Sequence, residues 1–195
     1  NSGNNYSVTY ADNTSSTINA AALTISTSDV TKTYDGTLSA AGAAVVTSGT
    51  LYTNVSNGSV LDSISGGSFA FTDANAGSGD KTVTTSAVTV TDGNSGNNYS
   101  VTYADNTSST IDPYVVNLSG TRVYDGTSSV ADSDLDIGTL VGTETLTLTG
   151  SGSMVDEHVA PNKTVTLGTL ALGNDAGFAS NYTFTGGSYT LSVTQ

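Results

Sequence analysis

The chain has 195 residues, rich in Thr, Ser, Gly and Asn and free of cysteine, with 4 Lys and Arg against 17 Asp and Glu for a formal net charge of -13. So acidic a surface repels phosphate backbones and anionic lipid headgroups, which excludes nucleic-acid binding and electrostatic docking to a membrane. Helix formers are scarce, while Thr, Val, Tyr and Ile suit a half-buried pleated surface, so the composition predicts an all-β fold.

Asn1 to Ile18 returns letter for letter as Asn94 to Ile111, an offset of 93 residues. A chain that repeats itself at this period is a slice of a tandem array. Residues 1–19 are expected to be the tail of a preceding repeat, residues 20–111 one unit and residues 112–195 a second. In the tail, Tyr6, Val8 and Tyr10 alternate with polar residues as in a half-buried strand. Without a unit to pair with, that strand is expected to be frayed or to pair with another chain at an open edge.

Unit one opens with Leu23 and Ile25 in alternation and continues to Lys32-Thr33-Tyr34-Asp35-Gly36-Thr37, a strand ending in an Asp-Gly turn. Ala40 to Val46 suits a short helix or a buried strand equally. Strands are expected around Gly49 to Val55 and Phe69 to Phe71, a loop over Thr72 to Asp80, and a strand from Lys81 to Val90. After the loop Thr91 to Gly96, Asn97 to Ile111 forms a closing hairpin or one long strand. In unit two, Tyr114, Val116 and Leu118 alternate, Arg122 to Thr127 repeats Lys32 to Thr37, and Lys163-Thr164-Val165 repeats Lys81-Thr82-Val83. Asn181-Tyr182 repeats Asn98-Tyr99, and Tyr189, Leu191 and Val193 close the unit. After each lysine the apolar face changes phase, from Val83 to Val88 and from Val165 to Leu170. An odd step cannot stay on one face of a regular strand, so a bulge or a bend is expected there. The link Thr110 to Tyr114 contains no flexible linker, and Pro113 stiffens it. Two small β domains, each a β-sandwich or β-grasp-like, are expected end to end as an elongated rod with a small interface.

The recurring Lys/Arg-x-Tyr-Asp-Gly-Thr start, mid-unit Lys-Thr-Val and closing Asn-Tyr-x-hydrophobic strand resemble the YDG-type repeat. This repeat is related to the MBG domains of large haemagglutinin-like bacterial adhesins, many of them similar to filamentous haemagglutinin and exported by two-partner secretion. The resemblance implies a secreted or cell-surface adhesin with these units as stalk repeats in cell adhesion or biofilm formation. It implies no catalytic activity. The absence of cysteine suits either a cytosolic protein or a surface protein exported unfolded, and the Thr/Ser/Asn/Gly-rich composition favours the second.

Several side chains are candidates for a site. Tyr34-Asp35-Gly36, Tyr124-Asp125-Gly126, Asn98-Tyr99 and Asn181-Tyr182 are read first as structural motifs, with Asp capping backbone amides and Tyr packed in the core. Their second reading is a surface that binds a host glycan, a receptor or matrix polysaccharide. Lys81 and Lys163 stand at equivalent places and are read as surface salt-bridge partners or solvated strand-start lysines; for an isopeptide crosslink, the less simple reading, the acid shared by both units is the Asp of Tyr-Asp-Gly. Asp132, Asp134 and Asp136 resemble the start of a calcium loop, although Ile137 stands where an EF-hand needs glycine. His158 has no counterpart in unit one, and no polar constellation is shared by both units, so no enzyme and no cofactor other than calcium is expected. The expected partners are neighbouring repeats of the same chain.

Overall fold

The computed structural model describes residues 5–53, 56–57 and 60–195. Asn1 to Asn4 of the duplicated tail, and Asn54 and Val55 of one expected strand, lie outside them. The first unit contains β1 (Ala21–Thr27), β2 (Thr31–Thr33), β3 (Ala44–Gly49), β4 (Ser56–Asn57), β5 (Val60–Leu61), β6 (Ser63–Phe71), β7 (Gly77–Thr91), β8 (Tyr99–Tyr103) and β9 (Asn106–Asp112). The second contains β10 (Tyr114–Val115), β11 (Leu118–Val123), β12 (Ser129–Ala131), β13 (Asp136–Ile137), β14 (Leu146–Thr149), β15 (Ser151–Ser153), β16 (Ala160–Thr164), β17 (Ala171–Asn174), β18 (Tyr182–Thr183) and β19 (Tyr189–Thr194). Among the described residues there is no α-helix, and none of the elements is a helix long and apolar enough to cross a membrane. The fold is all-β, and sheets packed on sheets make it sandwich-like.

Unit one is organised by its first and last strands. β1 runs parallel to β8 in a sheet of order β3-β1-β8, and β2 runs parallel to β9 in a sheet of order β2-β9-β7-β6. Both strands therefore leave one sheet and enter the other. The closing segment is accordingly one long strand broken at Ala104 and Asp105, not a hairpin. Unit two repeats the plan: β10 is parallel to β18, and β11 is parallel to β19 in a sheet of order β13-β11-β19-β16. This parallel pairing gives each unit two distinct ends. The first and last strands both start at one end, at Ala21 and Tyr99, and both finish at the other, at Thr33 and Asp112.

The phase change after Lys81 takes the form of a bend. Lys81, Val83 and Thr85 are buried, then Val88 is buried on the other phase. The register stays in step, Gly66 opposite Val88 and Ser68 opposite Ser86. Between those pairs Gly67 and Ala87 both take positive φ, so the two strands kink together. The kink divides the packing: Val83 and Phe71 face one core, and Val88 joins Leu23, Ile25 and Tyr99 in another. In unit two the same break is a turn over Leu167 to Leu170, between β16 and β17.

Ala40 to Val46 resolves into the start of β3, from Ala44. The strand expected from Gly49 onward ends at Gly49, because Leu51 packs on the core and the Tyr52 amide turns to the Tyr99 hydroxyl. Residues 6–20 carry no strand and are exposed. Ile111 is 0 % exposed and its duplicate Ile18 is 100 % exposed, so identical local sequence is decided here by tertiary context.

The strand pairings among the described residues stay within one unit or the other. The apolar packing does not. Val30, Tyr34, Phe71, Val83 and Ile111 of unit one belong to one core cluster with Val116, Leu118, Tyr182 and Leu191 of unit two. The small interface expected from the short link is in fact continuous with the core.

Candidate functional site: a tyrosine-carboxylate joint

The Lys/Arg-x-Tyr-Asp-Gly-Thr motif is a device for holding a tyrosine at the end of a strand. The Asp35 carboxylate accepts hydrogen bonds from the Thr37 amide and hydroxyl, both at 2.9 Å. Gly36 takes φ +73°, which a side chain would oppose. Lys32 closes the turn from below, with Nζ 2.7 Å from both Asp35 Oδ1 and the Thr37 carbonyl. The lysine beside it, with the Thr37 donors, holds the Asp35 carboxyl below its usual range. In unit two Arg122 does the work of Lys32, reaching the Thr127 carbonyl at 2.5 Å and Asp125 at 3.4 Å. Asp125 accepts from Thr127 as Asp35 does from Thr37.

Tyr34 is 5 % exposed, and both its hydroxyl and its ring reach the other unit. Its hydroxyl donates to Glu144 Oε1 at 2.5 Å, and Tyr182 donates to Glu144 Oε2 at 2.6 Å. The Tyr182 oxygen in turn accepts from the Val141 amide at 3.1 Å. The Tyr34 and Tyr182 rings meet edge to face at 5.6 Å, and Tyr114 meets Tyr182 in the same way at 6.1 Å. Burial first, and the Glu144 carboxylate second, push both phenols up to about 12. The carboxylate is thus solvated by two tyrosines, and both remain protonated donors over the ordinary pH range.

A second strand of polar contacts runs beside the first. Asn181, nearly fully buried, accepts from the Ala76 amide at 2.8 Å and donates to Asn75 Oδ1 at 2.9 Å. Asn75 is fixed by Asp73, and Asp73 is paired with the buried Lys81 at 2.5 Å. Lys81 therefore pairs with Asp73, not with the Asp of Tyr-Asp-Gly. In unit two, Lys163 pairs with Asp156 in the same way. The acid shared by the two lysines is this loop aspartate, because the basic residue of each Tyr-Asp-Gly turn already occupies the other one.

The remaining candidates are not brought together. Asp134 accepts from Arg122 at 3.2 Å and from the Ala131 amide at 3.0 Å, within the turn Asp132–Asp134, while Asp136 stands on β13. Among the described residues no three His, Cys, Asp or Glu side chains converge as a metal site. His158 is exposed, beside Glu157.

Unit one carries a second copy of half the joint. Tyr99 donates to Asp62 Oδ2 at 2.5 Å and accepts from the Tyr52 amide at 3.0 Å, as Tyr182 does with Glu144 and Val141. Burial, then Asp62, raises the Tyr99 phenol. Asp92, wholly buried at the base of the loop before Tyr99, accepts from the amides of Asn94, Gly96 and Asn98 and so shapes it. Neither Asp62 nor Glu144 stands out in a chain with 17 acids. The available signal was spacing: the acid lies 37 residues before Tyr99 in one unit and 38 before Tyr182 in the other.

The family model for the YDG domain matches residues 19–109 and, again, residues 110–190. No curated protein and no solved structure matches the chain.

Proposed function

The chain belongs to the YDG domain family, as two adjacent copies, and from that premise we propose that it is a pair of stalk repeats in a secreted or surface-attached bacterial adhesin. In this reading the units are mechanical. They hold a distal binding region away from the cell and support adhesion or biofilm formation. They catalyse nothing.

The observation that carries the proposal is the joint. Tyr34, at the finishing end of unit one, is sealed against Tyr182 and Glu144, at the starting end of unit two. Joining a finish to a start adds units in line and can be repeated without limit, which is what a spacer requires. The acidic composition keeps such an array soluble, and the absence of cysteine suits export in an unfolded state.

A glycan- or receptor-binding module is the second reading, and the open cleft beside Tyr52 and Tyr99 favours it. A glycan array and a panel of host matrix proteins probed with the labelled chain separate the two. A stalk repeat gives no saturable binding at micromolar concentration; a saturable signal replaces the spacer reading with the binding module.

A further inference from the structure

The starting face of unit one and the finishing face of unit two carry the two halves of the joint that is assembled between the units. At the starting end of unit one, Tyr99 and Asp62 reproduce Tyr182 and Glu144. In unit two the other oxygen of the carboxylate takes Tyr34. In unit one the corresponding space is an open cleft of about 700 Å³, bordered by Ala20, Ala21, Tyr52, Asp62, Asn98 and Tyr99. Ala21 aligns with Tyr114, since each is the residue paired with the tyrosine of its last strand. At the finishing end of unit two, the Tyr124 amide donates to the Thr194 carbonyl at 2.9 Å, as Tyr34 donates to Asp112 at 2.8 Å. The turn below it is built alike. Yet Tyr124 is 50 % exposed, and Val123, Val155 and Val159 are exposed large apolar side chains of the same unit. Val159 stands three residues past Asp156, as Ala76, which bonds Asn181, stands three past Asp73.

We propose that the cleft at Tyr99 and Asp62 is a socket for the tyrosine of another YDG unit, and that Tyr124 is a plug for such a socket; separate copies of this chain report the contact by docking head to tail, with Tyr124 of one in the socket of the next. In the assembled joint the equivalent pair, Glu144 and Tyr182, already holds a tyrosine of this kind, with the Tyr34 hydroxyl 2.5 Å from Glu144. The contact is between two different faces and does not close on itself, so it builds open chains and not dimers. Of residues 6–20, Ile18, Asn19 and Ala20 border the cleft. They are exposed and form no strand, and Ile18 is fully exposed. The inference rests on the spacer reading only for its biological use; the docking itself follows from the joint.

Between tandem units the contact forms under a tether, where the effective concentration is in the millimolar range. Separate copies then need a Kd of roughly 0.1–1 mM to make use of the same surface. With a net charge of -13 per chain, association strengthens as salt screens the repulsion.

Sedimentation of the whole chain up to about 1 mM tests the proposal. The wild type is expected to gain mass with concentration and to pass beyond the dimer. Tyr124→Ala keeps the socket and loses the plug; Asp62→Ala keeps the plug and loses the socket. Each alone is expected to stay monomeric, and their equimolar mixture to stop at the dimer. Tyr52→Glu blocks the cleft from an exposed position and replaces Asp62→Ala where loss of the carboxylate unfolds the unit. A wild type that stays monomeric overturns the proposal and leaves the cleft to a small ligand, and so does association that survives both kinds of variant. Glycan binding would defeat the spacer reading and leave these masses unchanged, so the two failures are distinct.

Discussion

Tyr34 and Tyr124 occupy the same place in the same motif, and only one of them is held by a neighbouring unit. Tyr34→Phe removes a single hydroxyl and keeps the ring. The edge-to-face contact with Tyr182 survives, and Glu144 keeps its bond from Tyr182. What is lost is one short, charge-assisted hydrogen bond in a buried site. Bonds to charged groups contribute about 1.5–3 kcal/mol net. Tyr124→Phe removes a hydroxyl from a half-exposed side chain and should change stability by less than about 0.5 kcal/mol. With a urea dependence of about 2 kcal/mol per molar, Tyr34→Phe lowers the unfolding midpoint by about 1 M and Tyr124→Phe leaves it in place. Tyrosine fluorescence and far-ultraviolet circular dichroism both report the transition in a protein without tryptophan. Equal shifts for the two variants, measured well below the docking concentration, would refute the assignment of Tyr34 to the joint.

Asn181→Ala removes an acceptor from the Ala76 amide and a donor to Asn75, and should cost about 1–3 kcal/mol in the same urea titration; a neutral change would show that water replaces both bonds without loss. The joint should also fail in alkali. Tyr34 and Tyr182 are raised to about 12 from an ordinary value of 10.0, so their contribution is whole below pH 10 and is lost as the pH climbs from 10 to about 12. Tyrosinate absorbance should show two late-titrating phenols attributable to the joint, one of them missing in Tyr34→Phe; an unchanged late phase in that variant would count against the pairing.

The periodicities that were legible in the sequence are the ones that local physics controls. Alternation and composition pointed to strands, the Asp-Gly pairs to turns, and the odd step after Lys81 to a bend, which the structure places at Gly67 and Ala87. The joint was less legible because burial by a neighbour and burial by one's own core look the same in a strand pattern. Tyr34 has the surroundings of a core tyrosine, and nothing local says that Glu144, 110 residues away, is its partner. Carboxylates at Asp62 and Glu144 look like solvated charge until the fold brings a phenol to each. Asp73 and Asp156 were hidden for a related reason: they lie in loops of different composition, and their equivalence appears only through the lysines that reach them. The Asp132 to Asp136 spacing suggested calcium, but the backbone turns within that stretch, and Arg122 takes Asp134.

The Tyr34–Glu144–Tyr182 joint holds the two YDG units finish to start. Small-angle scattering from the chain in dilute solution, well below the docking concentration, tests that arrangement. The expected result is a single elongated particle, two units long, whose profile is unchanged by salt and which loosens to a broad distribution of lengths when Tyr34 and Glu144 are both replaced by Ala. A compact particle, or an intact chain already as variable as that double variant, would contradict it.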